Sequence, residues 1–259
     1  MNAVKRLEHA CSDAWPPLKQ HHLGEWRLRW ADGFTGRANS ALAVGDPGIP
    51  MAQALAAVCD FAHSQGIMPA VQTVQGGTVE AAIAAAGWLP NTAHPAGHEV
   101  SVMVGGRATN GTFLAKNERS PFIASAPTPG WWELTAGTTV PTTAQRHVLT
   151  SVLTGGDVGY GVAELDGATA GAVRVAVVGE FAHISRLAVR PEYRRRGLAV
   201  AMMGAAGSWA RDRSATRKVL QVSVSNAPAL ALYHELGFTE HHRYRYWVPP
   251  MATCEDRKP

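Results

Sequence analysis

The sequence has little cysteine, few charges and no long apolar run. Its three cysteines are odd in number and far apart, which fits neither a disulfide framework nor a paired-thiolate metal site. No run of about 18 uncharged apolar residues occurs, and the opening segment MNAVKRLEHACSDAW lacks the apolar core of a signal peptide. We therefore expect a cytoplasmic protein with no membrane segment and no bound metal.

Charged residues make up only 17% of the chain and hydrophobic residues 46%, which excludes wholesale disorder. The length of 259 residues fits two domains of about 100–150 residues each. Gly, Pro, Ser, Thr and Asn crowd together between about residues 105 and 130. We predict a first domain over 1–110, a linker over 111–130, a second domain over 131–250 and a tail over 251–259.

The net charge of +4 is unevenly distributed along the chain. Residues 181–259 contain 13 Lys and Arg against 6 Asp and Glu, whereas the remainder contains 11 against 14. A basic third in a nearly neutral protein indicates a local anionic ligand rather than a nucleic-acid surface that spans the chain.

Hydrophobic periodicity in the second half predicts the order helix, three strands, helix, strand, helix, strand. The predicted ranges are 142–154, 160–165, 169–178, 181–189, 197–211, 219–224, 228–236 and 244–248. Short turns separate the first three strands, which favours an antiparallel meander. The predicted fold class is α/β (α+β), with a mixed, largely antiparallel sheet flanked by helices.

The first half contains a faint copy of this order. LAV at 42–44 matches LAV at 187–189, and VQTV at 71–74 matches the strand at 220–224, at offsets of 145 and about 149. A duplicated domain is therefore predicted. The copy has no arginine in its loop GDPGIP, and Ile83 stands where the second half has Tyr233.

The strongest local signal is VRPEYRRRGLA at 189–199, where a strand ends, a glycine-containing loop follows and a helix begins. Backbone N–H groups converge at such a helix N-terminus and suit a pyrophosphate. Arg194, Arg195 and Arg196 add positive charge, although a basic helix cap facing solvent is the alternative. The segment is neither a P-loop nor a dinucleotide fingerprint.

This loop, Arg194-Arg195-Arg196-Gly197-Leu198-Ala199, resembles the signature of the GNAT superfamily of acyl-CoA-dependent N-acetyltransferases. The segment from Asn226 through Tyr233 to Gly237-Phe238 resembles a second motif of that family. The resemblance covers about residues 131–248, and Ala199 replaces the second glycine, a variant that the motif permits. The first half resembles the degenerate amino-terminal domain of tandem GNAT proteins.

The resemblance implies that acetyl-CoA is the acyl donor. Backbone groups of Leu187 and Val189 would pair with its pantetheine arm, the 194–199 amides would hold its pyrophosphate, and Asn226 would bond the pantetheine. The implied cofactor-binding residues are Leu187, Ala188, Val189, Arg194, Arg195, Arg196, Gly197, Leu198, Ala199, Asn226 and Tyr233.

Tyr233 is the candidate general acid, because a phenol can protonate the thiolate that aminolysis of a thioester expels. A core aromatic is the alternative for Tyr233, and a helix cap is the alternative for Asn226. For the base, strand alternation places His183 on the face of Leu187 and Val189. His183 is the first candidate and Glu180 the second. The alternatives are that His183 is a partly exposed strand histidine and that Glu180 is a simple turn residue.

These residues predict an N-acetyltransferase in which a primary amine attacks acetyl-CoA directly. The acceptor could be a small molecule, a peptide or a protein lysine, and the sequence does not choose among them. One alternative is a non-catalytic acyl-CoA-binding sensor. Another is nucleic-acid binding through 186–196 and the segment HHRYRY at 241–246, which we do not expect because coenzyme A already explains the arginines.

Overall fold

The computed structural model describes residues 3–94, 97–106 and 120–250. Residues 111–119 of the proposed linker and the whole proposed tail over 251–259 therefore lie outside the described residues. Within the described part, no helix is long and apolar enough to cross a membrane.

The first half alternates short strands with three helices. Its elements are α1 (Ala3–Asp13), β1 (Lys19–Leu23), β2 (Trp26–Trp30), β3 (Ala41–Ala43), α2 (Met51–Ser64), β4 (Val71–Val74), α3 (Thr78–Ala85), β5 (Leu89–Pro90) and β6 (Glu99–Gly105). The segment VQTV at 71–74, which the sequence matches to a strand of the second half, is a strand here and follows helix α2.

The second half has longer strands and four helices. Its elements are β7 (Phe122–Ala124), α4 (Pro129–Ala136), α5 (Thr143–Thr150), β8 (Val158–Leu165), β9 (Ala168–Val178), β10 (Phe181–Val189), α6 (Leu198–Arg211), β11 (Arg217–Ser223), α7 (Ala227–Glu235) and β12 (Phe238–Val248). The predicted order from α5 to β12 is confirmed. The last strand begins six residues earlier than predicted, directly after the Gly237 turn (φ +76°) that ends α7.

All described strands belong to one sheet. Its order is β1-β2-β3-β4-β12-β6-β11-β10-β9-β8-β7, and β5 pairs with β12 off this path. Only β3 with β4 and β10 with β11 are parallel pairs; the other pairs among the described strands are antiparallel. This confirms the mixed, largely antiparallel sheet flanked by helices.

The two halves exchange their last strands. Strand β6 of the first half pairs with β11 of the second, while β12 of the second half pairs with β4 of the first. The exchanged strands also pair with each other, with Tyr244 opposite Val100. The domain boundary at about residue 110 remains a prediction, and the sheet hydrogen bonds are continuous across the two halves.

The order strand, helix, parallel strand, helix occurs twice, as β3-α2-β4-α3 and as β10-α6-β11-α7. This repeat agrees with the internal similarity in the sequence. In the second copy, α6 and α7 pack on an apolar cluster that includes Met202 and Phe238. A separate cluster around Trp15 and Trp131 covers the opposite face of the sheet, because alternate residues of β8 and β9 belong to the two clusters.

Candidate active site

Strands β10 and β11 diverge and open a cleft between them. They pair only from Phe181 opposite Arg217 to Ile184 opposite Leu220. Beyond that point β10 follows β9 and β11 follows β6, so the strands separate. The resulting cleft has a volume of about 960 Å³. The titratable side chains that line it are Arg37, His94, Arg186, Tyr233, Tyr244 and Tyr246.

A β-bulge interrupts β10 where the cleft begins. Its pairing with β9 shifts register between Ser185 and Ala188, and Arg186 adopts a left-handed φ of +54°. The extra residue reverses the alternation of side chains. Leu187 therefore packs into the same apolar cluster as Ile184, while His183 lies against Trp15, with 6.4 Å between ring centroids. The prediction that His183 shares a face with Leu187 and Val189 is wrong for this reason.

Backbone groups of β10 face the cleft without a strand partner on that side. Arg190 donates its amide to the Ala170 carbonyl of the β9 side, so by alternation the peptide groups of Leu187 and Val189 point the other way. The Arg194 guanidinium donates to the Val189 carbonyl at 3.2 Å. The other cleft-facing peptide groups of Leu187 and Val189 are placed to bond an extended ligand in the way that a further strand would be bonded. Ala188, between them, pairs with Ala172 of β9.

The loop before α6 is shaped to receive an anion. Arg195 and Gly197 have positive φ values of 62° and 80°, which turn successive amides toward one side. Among the described residues, the amides of Arg195, Gly197, Leu198 and Ala199 donate no turn or cap hydrogen bond. A Cβ atom built on Gly197 would meet nothing within 4 Å, so there is space for a ligand beside this backbone.

The side chains of the arginine cluster remain at the surface of this loop. Arg194 and Arg195 are exposed, and the Arg196 guanidinium lies 5.5 Å from the centroid of the Tyr193 ring. Arg190 instead pairs with Glu133 at 2.9 Å and contributes to the structure of the loop. These charges lie beside the free amides, as a pyrophosphate site requires.

Helix α7 carries two of the predicted residues into the cleft. Asn226 caps the helix, because its side-chain oxygen accepts from the Ala229 amide at 3.2 Å, and it also lines the cleft. Tyr233 packs against the α6–α7 cluster, with its ring 5.9 Å from that of Phe238. Its hydroxyl makes no hydrogen bond within the described part of the chain, and burial raises the pKa of the phenol.

The structure does not bring His183 to the cleft. The side chain is 1% exposed, and neither ring nitrogen forms a well-aligned hydrogen bond with a described residue. Burial, followed by the charges of Arg37 and Arg174, holds the pKa of His183 well below its usual value, although Gln221 lies near enough to oppose this shift. A neutral histidine enclosed in this way has no direct path to an acceptor amine.

Glu180 lies at the other end of β10. Its carboxylate pairs with Arg6, and its backbone carbonyl accepts from the amides of Thr216 and Arg217. Ser185 lies five positions further along the strand, which corresponds to about 16 Å. The structure thus places Glu180 in a turn with a structural ion pair and does not bring it together with Tyr233.

The first half supplies a wall of the cleft that the sequence analysis missed. Gly33, Thr35, Gly36 and Arg37 line it, and the Arg37 guanidinium donates to the Gln221 side chain of β11 at 2.6 Å. No motif marks this loop, and the two bonded residues are 184 positions apart.

A buried asparagine fixes the shape of this wall. The Asn39 side chain accepts from the amides of Ala31 and Gly33 and donates to the carbonyls of Phe34 and Thr35. These four bonds hold the loop in one conformation before any ligand arrives, which lowers the entropic cost of binding.

His94 is a further cleft residue that the sequence did not indicate. Its ring stacks on Tyr246, with 5.2 Å between centroids and 10° between planes. Burial lowers the pKa of His94, and its contact with the Gly97 backbone opposes that effect. The lowered pKa favours the neutral form of the imidazole at pH 7.

The corresponding loop of the first half is closed to a phosphate. The Glu25 carboxylate accepts from the Asp46 amide at 2.7 Å and pairs with Lys5. In the first copy the Glu25 carboxylate thus bonds to a backbone amide at the place where the amides of the second copy face an anion. The neighbouring Gly24 is pressed so closely on Pro47 that a Cβ there would lie 2.4 Å from its carbonyl carbon.

The aromatic side chains of the segment at 241–246 do not lie at the surface. Tyr244 and Tyr246 are buried, and Arg186 folds over the rings of Trp15 and Phe34 inside the protein. Interleaved aromatics cannot stack on bases from these positions. Within the described ranges no cluster of three or more His, Cys, Asp or Glu side chains could hold a metal ion.

Comparison with known families gives a match over almost the whole chain. Residues 2–247 match the family model "Probable histone acetyltransferase Rv0428c C-terminal". Among curated proteins, the chain is 36% identical over 80 residues to the [ribosomal protein bS18]-alanine N-acetyltransferase of Escherichia coli K12, covering 31% of this chain and 54% of that protein. It is 44% identical over 57 residues to an N-alpha-acetyltransferase of Saccharolobus solfataricus, covering 22% of this chain and 34% of that protein. The matches span from a third to about half of these relatives' lengths.

Two solved structures share the fold. A GCN5-related N-acetyltransferase from Kribbella flavida superposes with a TM-score of 0.69 at 13% identity, covering 99% of each chain. A tandem GNAT protein from the clavulanic acid biosynthesis pathway superposes with a TM-score of 0.64 at 15% identity, covering 93% of this chain and 86% of that chain. At such identities the likeness shows the fold alone.

Proposed function

This chain belongs to the GNAT family of N-acetyltransferases, and from that membership we propose that it transfers the acetyl group of acetyl-CoA to a primary amine in the cleft between β10 and β11. The observation that carries the proposal is the divergence of these strands directly beside a loop with free amides. A pantetheine arm needs the first feature and a pyrophosphate the second.

The residues present fit coenzyme A. The amides of Arg195, Gly197, Leu198 and Ala199 would bind the pyrophosphate at the positive end of the α6 dipole. The cleft-facing backbone of Leu187 would pair with the pantetheine arm. When bound, acetyl-CoA supplies a thioester that is activated toward attack by an amine.

Tyr233 has the properties of the general acid. Because burial raises its pKa, the phenol stays protonated at neutral pH and can give its proton to the departing sulfur. In the overall step a C–N bond forms, the C–S bond breaks, and one proton moves from the amine to the sulfur. Tyr233 recovers its proton from the site, so the step is balanced without a redox partner.

His94 is the described group best placed to take the proton from the amine. No aspartate or glutamate is found among the described residues that line the cleft, and the other titratable groups there are arginines and tyrosines. Burial lowers the pKa of His94, which favours its neutral form at pH 7. We assign it the role of base, directly or through water, in place of His183 and Glu180.

A protein or peptide amine is the acceptor class that the relatives favour. Their names describe acetylation of the alanine of a ribosomal protein and of α-amino groups. The cleft extends past Tyr233 toward the wall formed by the first half, which leaves room for an acceptor on that side.

The test is release of coenzyme A thiol from acetyl-CoA in the presence of peptides and small amines, with mass spectrometry of the acetylated product. Acetyl transfer that depends on both the amine and the enzyme is the expected result. Tight binding of acetyl-CoA without turnover, for any amine, would instead identify a non-catalytic acyl-CoA sensor.

A further inference from the structure

Three arginine side chains surround one tryptophan beside the cleft. The guanidinium carbons of Arg37, Arg174 and Arg186 lie 4.5, 5.4 and 5.4 Å from the centroid of the Trp15 ring. Trp15 is buried, and its indole N–H donates to the Thr35 hydroxyl at 3.0 Å. The cluster lies on the Trp15 face of the sheet, opposite the face on which Tyr233 packs.

This cluster has no carboxylate partner among the described residues. Arg174 is buried and donates to the backbone carbonyls of Leu149 and Ser151, so its role is structural. Within the described ranges, the hydrogen bond of Arg37 goes to the neutral Gln221 side chain. Arg186 makes no hydrogen bond or ion pair with the described residues, and its Nε is buried without an acceptor.

Three other arginines of the chain pair with carboxylates. Arg27 pairs with Asp13, Arg190 with Glu133, and Arg245 with Glu80 and Glu99. Like charges held together away from water repel each other, and a buried charge without a partner is costly. The two that line the cleft, Arg37 and Arg186, are therefore the positions where an incoming anion would gain most.

Resting on the acetyl transfer proposed above, we propose that the acceptor is a primary amine that carries an anionic group, carboxylate or phosphate, bound between Arg37 and Arg186. Guanidinium groups bind both anions through paired N–H donors. The ring stacking with Trp15 and Phe34 holds the two side chains in place before the acceptor arrives.

The test compares paired acceptors in which one member carries an anionic group and the other does not. The pairs are β-alanine with β-alaninamide, the C-terminally amidated peptide Asp-Ala-Ala with the C-terminally amidated Asn-Ala-Ala, and O-phosphoethanolamine with ethanolamine. We expect kcat/KM to be at least about tenfold higher for the anionic member, and the first and third pairs separate carboxylate from phosphate.

Variants then assign the preference to the two arginines. Arg37→Gln and Arg186→Gln should each lower kcat/KM for the anionic acceptors by about 10- to 100-fold and for the neutral ones by a much smaller factor, with the KM for acetyl-CoA unchanged. The Lys variants should recover part of the loss. Arg213→Gln is the matched control, because Arg213 stacks on Trp209 at 3.9 Å and pairs with Asp157 away from the cleft.

Each other outcome has a distinct meaning. Equal rates for charged and neutral acceptors would overturn the inference and leave the acetyl transfer intact. Equal losses for both kinds of acceptor would make the arginines structural, and a raised KM for acetyl-CoA would make them coenzyme ligands; both results overturn it. Failure to acetylate any amine would overturn the proposed function itself.

Discussion

The Arg37 guanidinium and the Gln221 side chain are joined by a 2.6 Å hydrogen bond across the mouth of the cleft. Arg37 belongs to the first half and Gln221 to strand β11 of the second. The half that carries no phosphate loop therefore forms part of the site in the other half. We expect it to shape the acceptor side of the proposed site rather than to bind a second coenzyme.

Tyr233→Phe should lower kcat by about 10²–10⁴-fold, the usual contribution of a positioned general acid. The ring keeps its packing against Phe238, so the melting temperature and the acetyl-CoA affinity should change little. Single-turnover kinetics measure the chemical step directly and exclude limitation by product release. An unchanged chemical rate would return Tyr233 to the core-aromatic interpretation.

His94→Gln should remove the ionisation that limits kcat/KM on the acidic side. The pKa of His94 lies below its ordinary value, so the wild-type rate should fall as the pH drops through that lowered pKa and the base becomes protonated. The variant should lose about 10- to 100-fold at pH 7 and no longer show that limb. A pH profile identical to wild type would mean that water alone removes the proton.

Gly197→Val should weaken acetyl-CoA binding by more than about tenfold in calorimetry. A β-branched side chain is strained at φ +80°, and its Cβ would fill the space beside the free amides. The matched control is Gly179→Val, at φ +54° in the β9–β10 turn with equally open surroundings. Both variants should lose similar stability, and equal affinity in both would contradict the assignment of the loop.

His183 should make the fold sensitive to mild acid. Its pKa is lowered in the folded state, so the unfolded chain takes up the proton first as the pH falls below about 6.5, and the free energy of unfolding decreases. In urea titrations, the free energy of unfolding should decrease between pH 7.5 and pH 5.0 by about 2 kcal/mol less in His183→Gln than in wild type. His63→Gln, at an exposed position in α2, is the control and should retain the wild-type dependence.

Acetyl-CoA should bind once per chain. The loop of the first half has its Asp46 amide bonded to the Glu25 carboxylate, which would also repel a pyrophosphate. Calorimetry should give one site for wild type and still one for Glu25→Gln, because that loop contains no arginine. Two equivalent sites would refute the prediction that one half of the chain binds acetyl-CoA and the other does not.

The sequence predicts the parts of the site that depend on neighbouring residues. The helix cap at Asn226, the Gly197 turn and the order of elements from α5 to β12 all follow from local patterns. The face of His183 could not be predicted, because alternation assumes an uninterrupted strand and one extra residue at Arg186 reverses it.

Long-range pairing is the other part that local patterns do not contain. Nothing near Arg37 indicates that it meets Gln221, and nothing in either final strand indicates exchange between the halves. Periodicity shows that a strand has a buried face, but the choice of its neighbour depends on packing in three dimensions.

The exchange of final strands also has a consequence for synthesis of the protein on the ribosome. Val74 in β4 pairs with Tyr244 in β12. This edge of the first half therefore stays uncovered until about 170 further residues have been synthesised. Until then the nascent chain exposes an open strand edge, of the kind that other chains can join. Completion of the sheet is thus a late event, and a chain that stopped before Phe238 would leave one side of β4 and one side of β6 unpaired.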